Sequence, residues 1–454
     1  MERISTGNQE LDYILCGGFP RSSINIILGR PGSGKTILAQ QIAFANAGAD
    51  RPVLYLSTLS EPLSKIVTYL QEFSFADIGM IGSGVIYESL TEDLSKEPSS
   101  LADIMLELLK QYRPSVIVID SFKAIADLMP DVQSWRRVVF ELAGVLTAYD
   151  ATSFWVGEYG TLEDPGRVEF AIADSVIELN RKQMGSRDER YLRVAKLRGS
   201  GFKDGNHSFS IDIDGLRFYP RLVAPKNIES YELPAERLRS GIGGLDEMIE
   251  SGWLRGSSTL VVGPSGSGKT VLGLHFLRQG VADGEPGLLV NFQENPVQLR
   301  RVMRNLGWST DDVLGPEKLD VLYSSPVEMQ IDAIVQEVLR RIRLQGVRRV
   351  VVDALADLER SADDPIRFRD YIYALTQHFS ALNVTAMLML ESGTKTSAGE
   401  TGKEVSFMSD NIVLLSMEME QDLTRNIRVV KSRGSAHDGK KHVLTIGSEG
   451  MVVG

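Results

Sequence analysis

Two tandem α/β domains, each with a mostly parallel central sheet flanked by helices, are what this 454-residue sequence predicts. Three observations carry the expectation. Short Val/Ile/Leu runs alternate with longer amphipathic segments, as in βαβ units whose strands are covered on both faces. A G-x-x-x-x-G-K-[ST] string occurs twice, as Gly29 to Thr36 and as Gly263 to Thr270. Landmarks around the two strings also recur at a nearly constant spacing.

In the first half the apolar runs are "INIIL", "VLYLS", "SVIVID", "TSFWVG" and "DSVIEL", and "LADIMLELLKQY" has helical spacing. The later "RYLRVAKL" and "HSFSIDIDGLRFY" alternate in and out, which predicts an antiparallel hairpin closing the sheet edge. Lys35 and Lys269 lie 234 residues apart, as do Asp12 and Asp246. Asp120 and Asp353 are separated by 233, and Arg198 and Arg433 by 235. Four markers at one offset mean a duplicated domain. The proline-punctuated stretch "RLVAPKNIESYELPAERL" reads as the join, giving expected domains 1–225 and 226–454.

Each glycine string follows a buried-strand run and precedes a helix-like stretch, "KTILAQQIAFANA" or "KTVLGLHFLRQGV". That context turns a string match into a phosphate loop. By average residue usage, about 0.02 matches are expected in a chain of this length, so two in context are not chance. Gly29, Gly32, Ser33 and Gly34, and likewise Gly263, Ser265, Gly266, Ser267 and Gly268, let the loop curl with its N–H groups inward. Lys35 and Lys269 are expected on the β- and γ-phosphates of ATP, and the Thr36 and Thr270 hydroxyls on Mg²⁺. Asp120 and Asp353 end buried-strand runs, where a carboxylate faces the crevice of an open sheet and holds Mg²⁺ or its water.

The bulk composition is that of an ordinary globular chain, 43% hydrophobic and 24% charged. Its 49 basic and 60 acidic residues give a net charge of −11, which weighs against nucleic-acid binding. Cys16 is the only cysteine, so internal disulfides and cysteine-based zinc clusters are excluded. The opening "MERISTGNQELD" has no apolar signal core and no apolar run reaches spanning length, so a cytoplasmic location is expected.

The two loops, the "LD…GG" stretch before them and the "KLRG"/"KSRG" stretch after them resemble the RecA-like ATPases, and the tandem arrangement resembles the KaiC family of circadian-clock ATPases over nearly the whole chain. The resemblance implies a homohexameric double ring with ATP at subunit boundaries. In that family a K-x-R-G-x-x-H segment reaches the nucleotide of the neighbouring subunit. Carried over, Lys431, Arg433, Ser435 and His437 serve the second tier, and Lys196, Arg198 and Ser200 the first, where Phe202 replaces the histidine. The other reading of these basic residues is a solvated hairpin face. Trp308 matches the family's aromatic against adenine, or is a core tryptophan.

The chain also departs from the family. In place of paired catalytic glutamates, the second half has Gln293 and Glu294 in "VNFQENP", and the first has Leu59, Ser60 and Glu61 in "YLSTLSEP". Glu61 and Glu294 are the candidate bases, and slow hydrolysis is expected in both tiers. Of the paired phospho-acceptors, Ser406 is kept and Val405 replaces its neighbour. Ser406 is thus either a serine autokinase site or an ordinary strand-edge serine. No counterpart of the family's partner-recruiting tail follows Gly454, which predicts no such partner and leaves timing, stress-response and signalling roles equally open. Two other functions compete with a regulatory ATPase that meets a further protein partner. One is a RecA-type nucleic-acid motor, disfavoured by the non-basic "FKAIADLMPDVQSW" and "ALADLERSADDPIRF"; the other is a scaffold that ATP merely assembles.

Overall fold

The computed structural model describes residues 2–58, 63–91, 94, 97–159, 167–184, 187–225, 234–362, 364–392, 407–419 and 422–454. The chain divides into two compact units, Met1–Arg221 and Leu222–Gly454. Each is built on one large sheet, with nine strands among the described residues.

In the first unit the strands are β1 (Ile24–Gly29), β2 (Val53–Ser57), β3 (Val85–Ser89), β4 (Val116–Asp120), β5 (Thr152–Gly157), β6 (Ser175–Met184), β7 (Arg187–Leu197), β8 (Asn206–Asp212) and β9 (Gly215–Tyr219). Their spatial order is β3-β2-β4-β5-β1-β6-β7-β8-β9. The first six run parallel, and the last three form an antiparallel extension. The antiparallel pairing of "RYLRVAKL" with "HSFSIDIDGLRFY" expected from sequence is present, between β7 and β8, and the extension has one strand more than expected. "HSFSIDIDGLRFY" is itself two strands, folded at Ile213 and Asp214 before Gly215, whose φ of +91° suits the reversal. On its other edge β7 pairs with β6.

Every residue of β1 and β5 is buried, because helices cover both faces. Ile27 and Phe154 enter the core on the face of helix α1 (Lys35–Ala45), while Ile26 and Trp155 enter the core on the other face. This is the period-two alternation of strand side chains. The one polar side chain within β1, Asn25, is satisfied: its amide donates to the Ser153 carbonyl at 3.1 Å and its oxygen accepts from the Ser175 hydroxyl at 2.6 Å.

The second unit repeats the plan with β10 (Ser258–Gly263), β11 (Gly287–Asn291), β12 (Leu319–Tyr323), β13 (Arg349–Asp353), β14 (Thr385–Glu391), β15 (Asn411–Met419), β16 (Leu423–Ser432), β17 (His442–Gly447) and β18 (Gly450–Val453). The order β12-β11-β13-β14-β10-β15-β16-β17-β18 matches the first sheet strand for strand. Helix α2 (Lys269–Ala282) follows β10 as α1 follows β1. Both units are RecA-like α/β domains. Among the described residues no helix is long and apolar enough to cross a membrane.

Candidate active site

Each glycine string folds as a loop from the carboxyl end of the central strand into a helix N-terminus. Gly34 and Gly268 cap α1 and α2 with φ of 97° and 103°. A Cβ on Gly34 would stand 3.0 Å from Ile211, and one on Gly268 2.8 Å from Ile446. Backbone conformation and packing both demand glycine there. A Cβ at Gly29 or Gly263 would meet the Ser33 or Ser267 hydroxyl at 2.6 Å. Those two buried hydroxyls have no hydrogen-bond partner among the described residues, and Gly32 and Gly266 complete the turns with φ of 71° and 78°. Ser265 is exposed on its loop. Helices of 11 and 14 residues direct their free N–H ends at the loops, which favours a bound anion.

The lysines fold over their loops. Lys35 donates to the Arg30 carbonyl at 3.0 Å, and Lys269 to the Gly263 and Pro264 carbonyls, both at 2.9 Å. Burial pushes both ammonium groups below their ordinary range, opposed by the nearby carboxylates.

Strand register supplies the carboxylates. Ser57 of β2 pairs with Asp120 of β4, and Asn291 of β11 with Asp353 of β13. Thr36 donates to Asp120 Oδ2 at 2.8 Å, and Thr270 to Asp353 Oδ2 at 2.6 Å. Burial raises both aspartates above the usual carboxylate range, against the threonine hydrogen bonds and the lysine charges. A threonine hydroxyl beside a buried, cation-seeking carboxylate is a hard-oxygen donor set that fits Mg²⁺. In the first unit these groups line a cleft of about 550 Å³ with Lys35, Glu158 and Ile211.

Of the two candidate bases, Glu61 lies outside the described residues, as does Ser406. Glu294 is brought to the site. Its carboxylate is 3.4 Å from the Asn291 amide, while the Gln293 and Glu294 backbone N–H groups donate to Asn291 Oδ1. Burial, then the charge of Asp353, raises its pKa above the usual carboxylate range. Gln293 instead donates to Asp357 at 3.0 Å. Asn295, the residue 234 positions after Glu61, caps the helix Pro296–Asn305.

The basic arms are not brought to the loops of their own units. Leu197 pairs with Ser175, which pairs with Asn25, four residues before Gly29. Lys196 and Arg198 therefore sit at the opposite end of the sheet, about 13 Å down β1 from the loop. Lys196 donates to the Phe170 carbonyl at 3.0 Å, and Arg198 to the Ala171 carbonyl at 3.0 Å. Ser200 donates to the Gly201 carbonyl. Lys431 likewise donates to the Ser409 carbonyl at 2.6 Å, and the exposed Arg433 lies 3.6 Å from Asp410. Ser435 accepts from Arg237 at 2.7 Å, and His437 is exposed. Phe202 packs against the first core. Trp308 belongs to the core of the second unit, edge-on to His275 and under the Arg278 guanidinium.

Three side chains not singled out from the sequence join the sites. The Tyr55 hydroxyl donates to Asp120 at 2.9 Å, with no counterpart at Leu289. Glu158 lies 3.7 Å from Lys35, and Glu391 ends the equivalent strand. Their separation of 233 residues, that of Asp120 and Asp353, is the signal that would have found the glutamates.

A glycine cradle at a helix N-terminus, joined by a threonine–aspartate pair in the crevice of an open parallel sheet and present twice, defines a tandem P-loop ATPase. The chain belongs to the KaiC ATPase family, whose model matches residues 4–223 and 238–454. Among its relatives, the circadian clock oscillator protein KaiC of Picosynechococcus sp. is 26% identical over 471 residues, spanning 100% of this chain and 90% of that protein. The circadian clock protein KaiC3 of Synechocystis sp. is 28% identical over 482 residues, spanning 100% and 92%.

Proposed function

We propose that both units bind ATP with Mg²⁺ and hydrolyse it slowly, and that the chain works as a homohexameric regulatory ring in which each site is completed by the next copy. What carries the reading is the distance between the arms and their own loops. Lys196 and Arg198, like Lys431 and Arg433, are held at the far end of the sheet from the loop strand. A head-to-tail contact, closed by rotation, brings such arms to a neighbour's phosphates.

In this reading Lys35 and Lys269 leave their carbonyl partners for the β- and γ-phosphates, while the loop N–H groups and helix ends hold the remaining oxygens. Thr36 with Asp120, and Thr270 with Asp353, hold Mg²⁺, which supplies charge neutralisation when bound. Glu294 accepts the proton of the attacking water in the second unit, burial making its carboxylate a stronger base than an exposed one. An arginine supplied in trans stabilises the transferring phosphoryl, an effect worth about 10³–10⁵ in rate. Phosphate transfer to Ser406 is a separate outcome, read by intact mass after incubation with Mg-ATP.

Mass in solution with and without Mg-ATP, coupled to phosphate release, tests the whole. The expected result is nucleotide-dependent assembly with turnover, which Arg198→Ala and Arg433→Ala each lower at least tenfold. A monomer at saturating Mg-ATP sinks the ring. One observation favours a second reading, an ATP-assembled scaffold: Gln293 cannot accept a proton and is tied to Asp357. Assembly without phosphate release selects it.

A further inference from the structure

We propose that Glu158, with Glu391 in the second unit, weakens the site's preference for nucleoside triphosphate over diphosphate by contesting the loop lysine with the γ-phosphate; this rests on the phosphate-binding reading above. Neither glutamate belongs to the loop, metal-side or base sets. Each follows or ends the strand beside the loop strand. The register sets Gly157 against Leu28, and Glu391 against Gly263, so both carboxylates stand next to the first residues of a loop. In the first unit the contact is direct: Glu158 lies 3.7 Å from the Lys35 ammonium and lines the same cleft as Thr36 and Asp120. In the second, the exposed Glu391 acts on Lys269 and Asp353 through space.

Among the described residues lining the first cleft, the charged side chains are Lys35 and Lys123 against Asp120, Asp127 and Glu158. The Lys35 side chain is only 8% exposed and Glu158 is 55% exposed, while Lys123 is engaged by Asp127. A γ-phosphate drawn to Lys35 enters the field of the Glu158 carboxylate, whereas a diphosphate ends one group short of it. Like charges at roughly 5 Å in a half-buried site repel enough to cost about tenfold in affinity. The penalty falls on ATP and spares ADP. The first site's preference for ATP over ADP would therefore be narrowed about tenfold, which makes its occupancy more sensitive to their ratio.

The test measures equilibrium affinities of the full chain for ADP and for a non-hydrolysable ATP analogue, with the other loop silenced. Glu158→Gln is compared with Glu158→Asp in a Lys269→Ala background, and Glu391→Gln is read in a Lys35→Ala background. Glu158→Gln should tighten the triphosphate analogue about tenfold and shift ADP less than twofold. Glu158→Asp should keep the parent ratio, and Glu391→Gln should give the same change at smaller size. Equal shifts for both nucleotides, an unchanged ratio, or weaker triphosphate binding in Glu158→Gln each overturn the inference while leaving the phosphate site standing. Binding of neither nucleotide by the unmodified chain removes both.

Discussion

The amide nitrogen of Gln293 donates to Oδ2 of Asp357 at 3.0 Å. Asp357 is buried and holds Arg360 on its other oxygen at 2.7 Å. The residue in line to be a base is thus a donor to a neighbouring carboxylate, and the bond depends on its being an amide. Gln293→Glu sets two acidic groups against each other and leaves a buried acceptor unpaired, a cost of about 2 kcal/mol. Thermal unfolding should show a lowered midpoint for Gln293→Glu, restored when Asp357→Asn is added. An unchanged midpoint means the bond contributes nothing.

The two metal-side aspartates differ in their support. Asp120 accepts from both Thr36 and Tyr55, while Asp353 accepts from Thr270, and Leu289 stands in sequence where the first unit has Tyr55. Groups that orient a ligand carboxylate are worth about 10–100-fold in metal affinity. Tyr55→Phe should raise the Mg²⁺ concentration needed for nucleotide binding at the first site about tenfold. The second site, read in a Lys35→Ala background, should be indifferent to Tyr55→Phe.

His275 predicts a pH effect. It is buried under Trp308 and accepts from the Met451 backbone N–H at 2.8 Å through Nε2. Burial, then the charge of Arg278, lowers its pKa from 6.5 to about 4. A depressed histidine is neutral when folded and takes a proton first when unfolded. Its contribution is therefore complete above about pH 6.5 and drains away as the pH falls towards 4, by up to about 3 kcal/mol. Denaturant titrations at pH 7.5 and 5 should show this loss, and His275→Gln, which keeps an acceptor but does not titrate, should flatten it.

Arg349 is fully buried in the second unit. It pairs with Asp283 at 2.8 Å and Glu285 at 2.7 Å, and donates to the Arg239 and Phe276 carbonyls. Removing one partner from a buried, fully bonded ionic group typically costs about 3–5 kcal/mol. Arg349→Met should fall in that range by urea denaturation. Asp283→Ala, which leaves Glu285 paired with Arg349 and opens a site already 41% exposed to water, should cost less than Arg349→Met.

The sequence alone determined the duplicated architecture, the loops and the strand-end aspartates, because these are encoded locally. Loop glycines are set by backbone angles, parallel strands by continuous apolar runs, and the repeat by spacing. Only the tertiary structure decided how side chains distant in sequence meet. Strand register put Tyr55 on Asp120 and Glu158 beside Lys35, 65 and 123 residues away. It turned Gln293 towards Asp357, buried Trp308 in the core, and set the basic arms at the end of the sheet away from their own loops. Pairing between strands is a non-local choice made by the packing of the whole sheet, and no window of residues contains it.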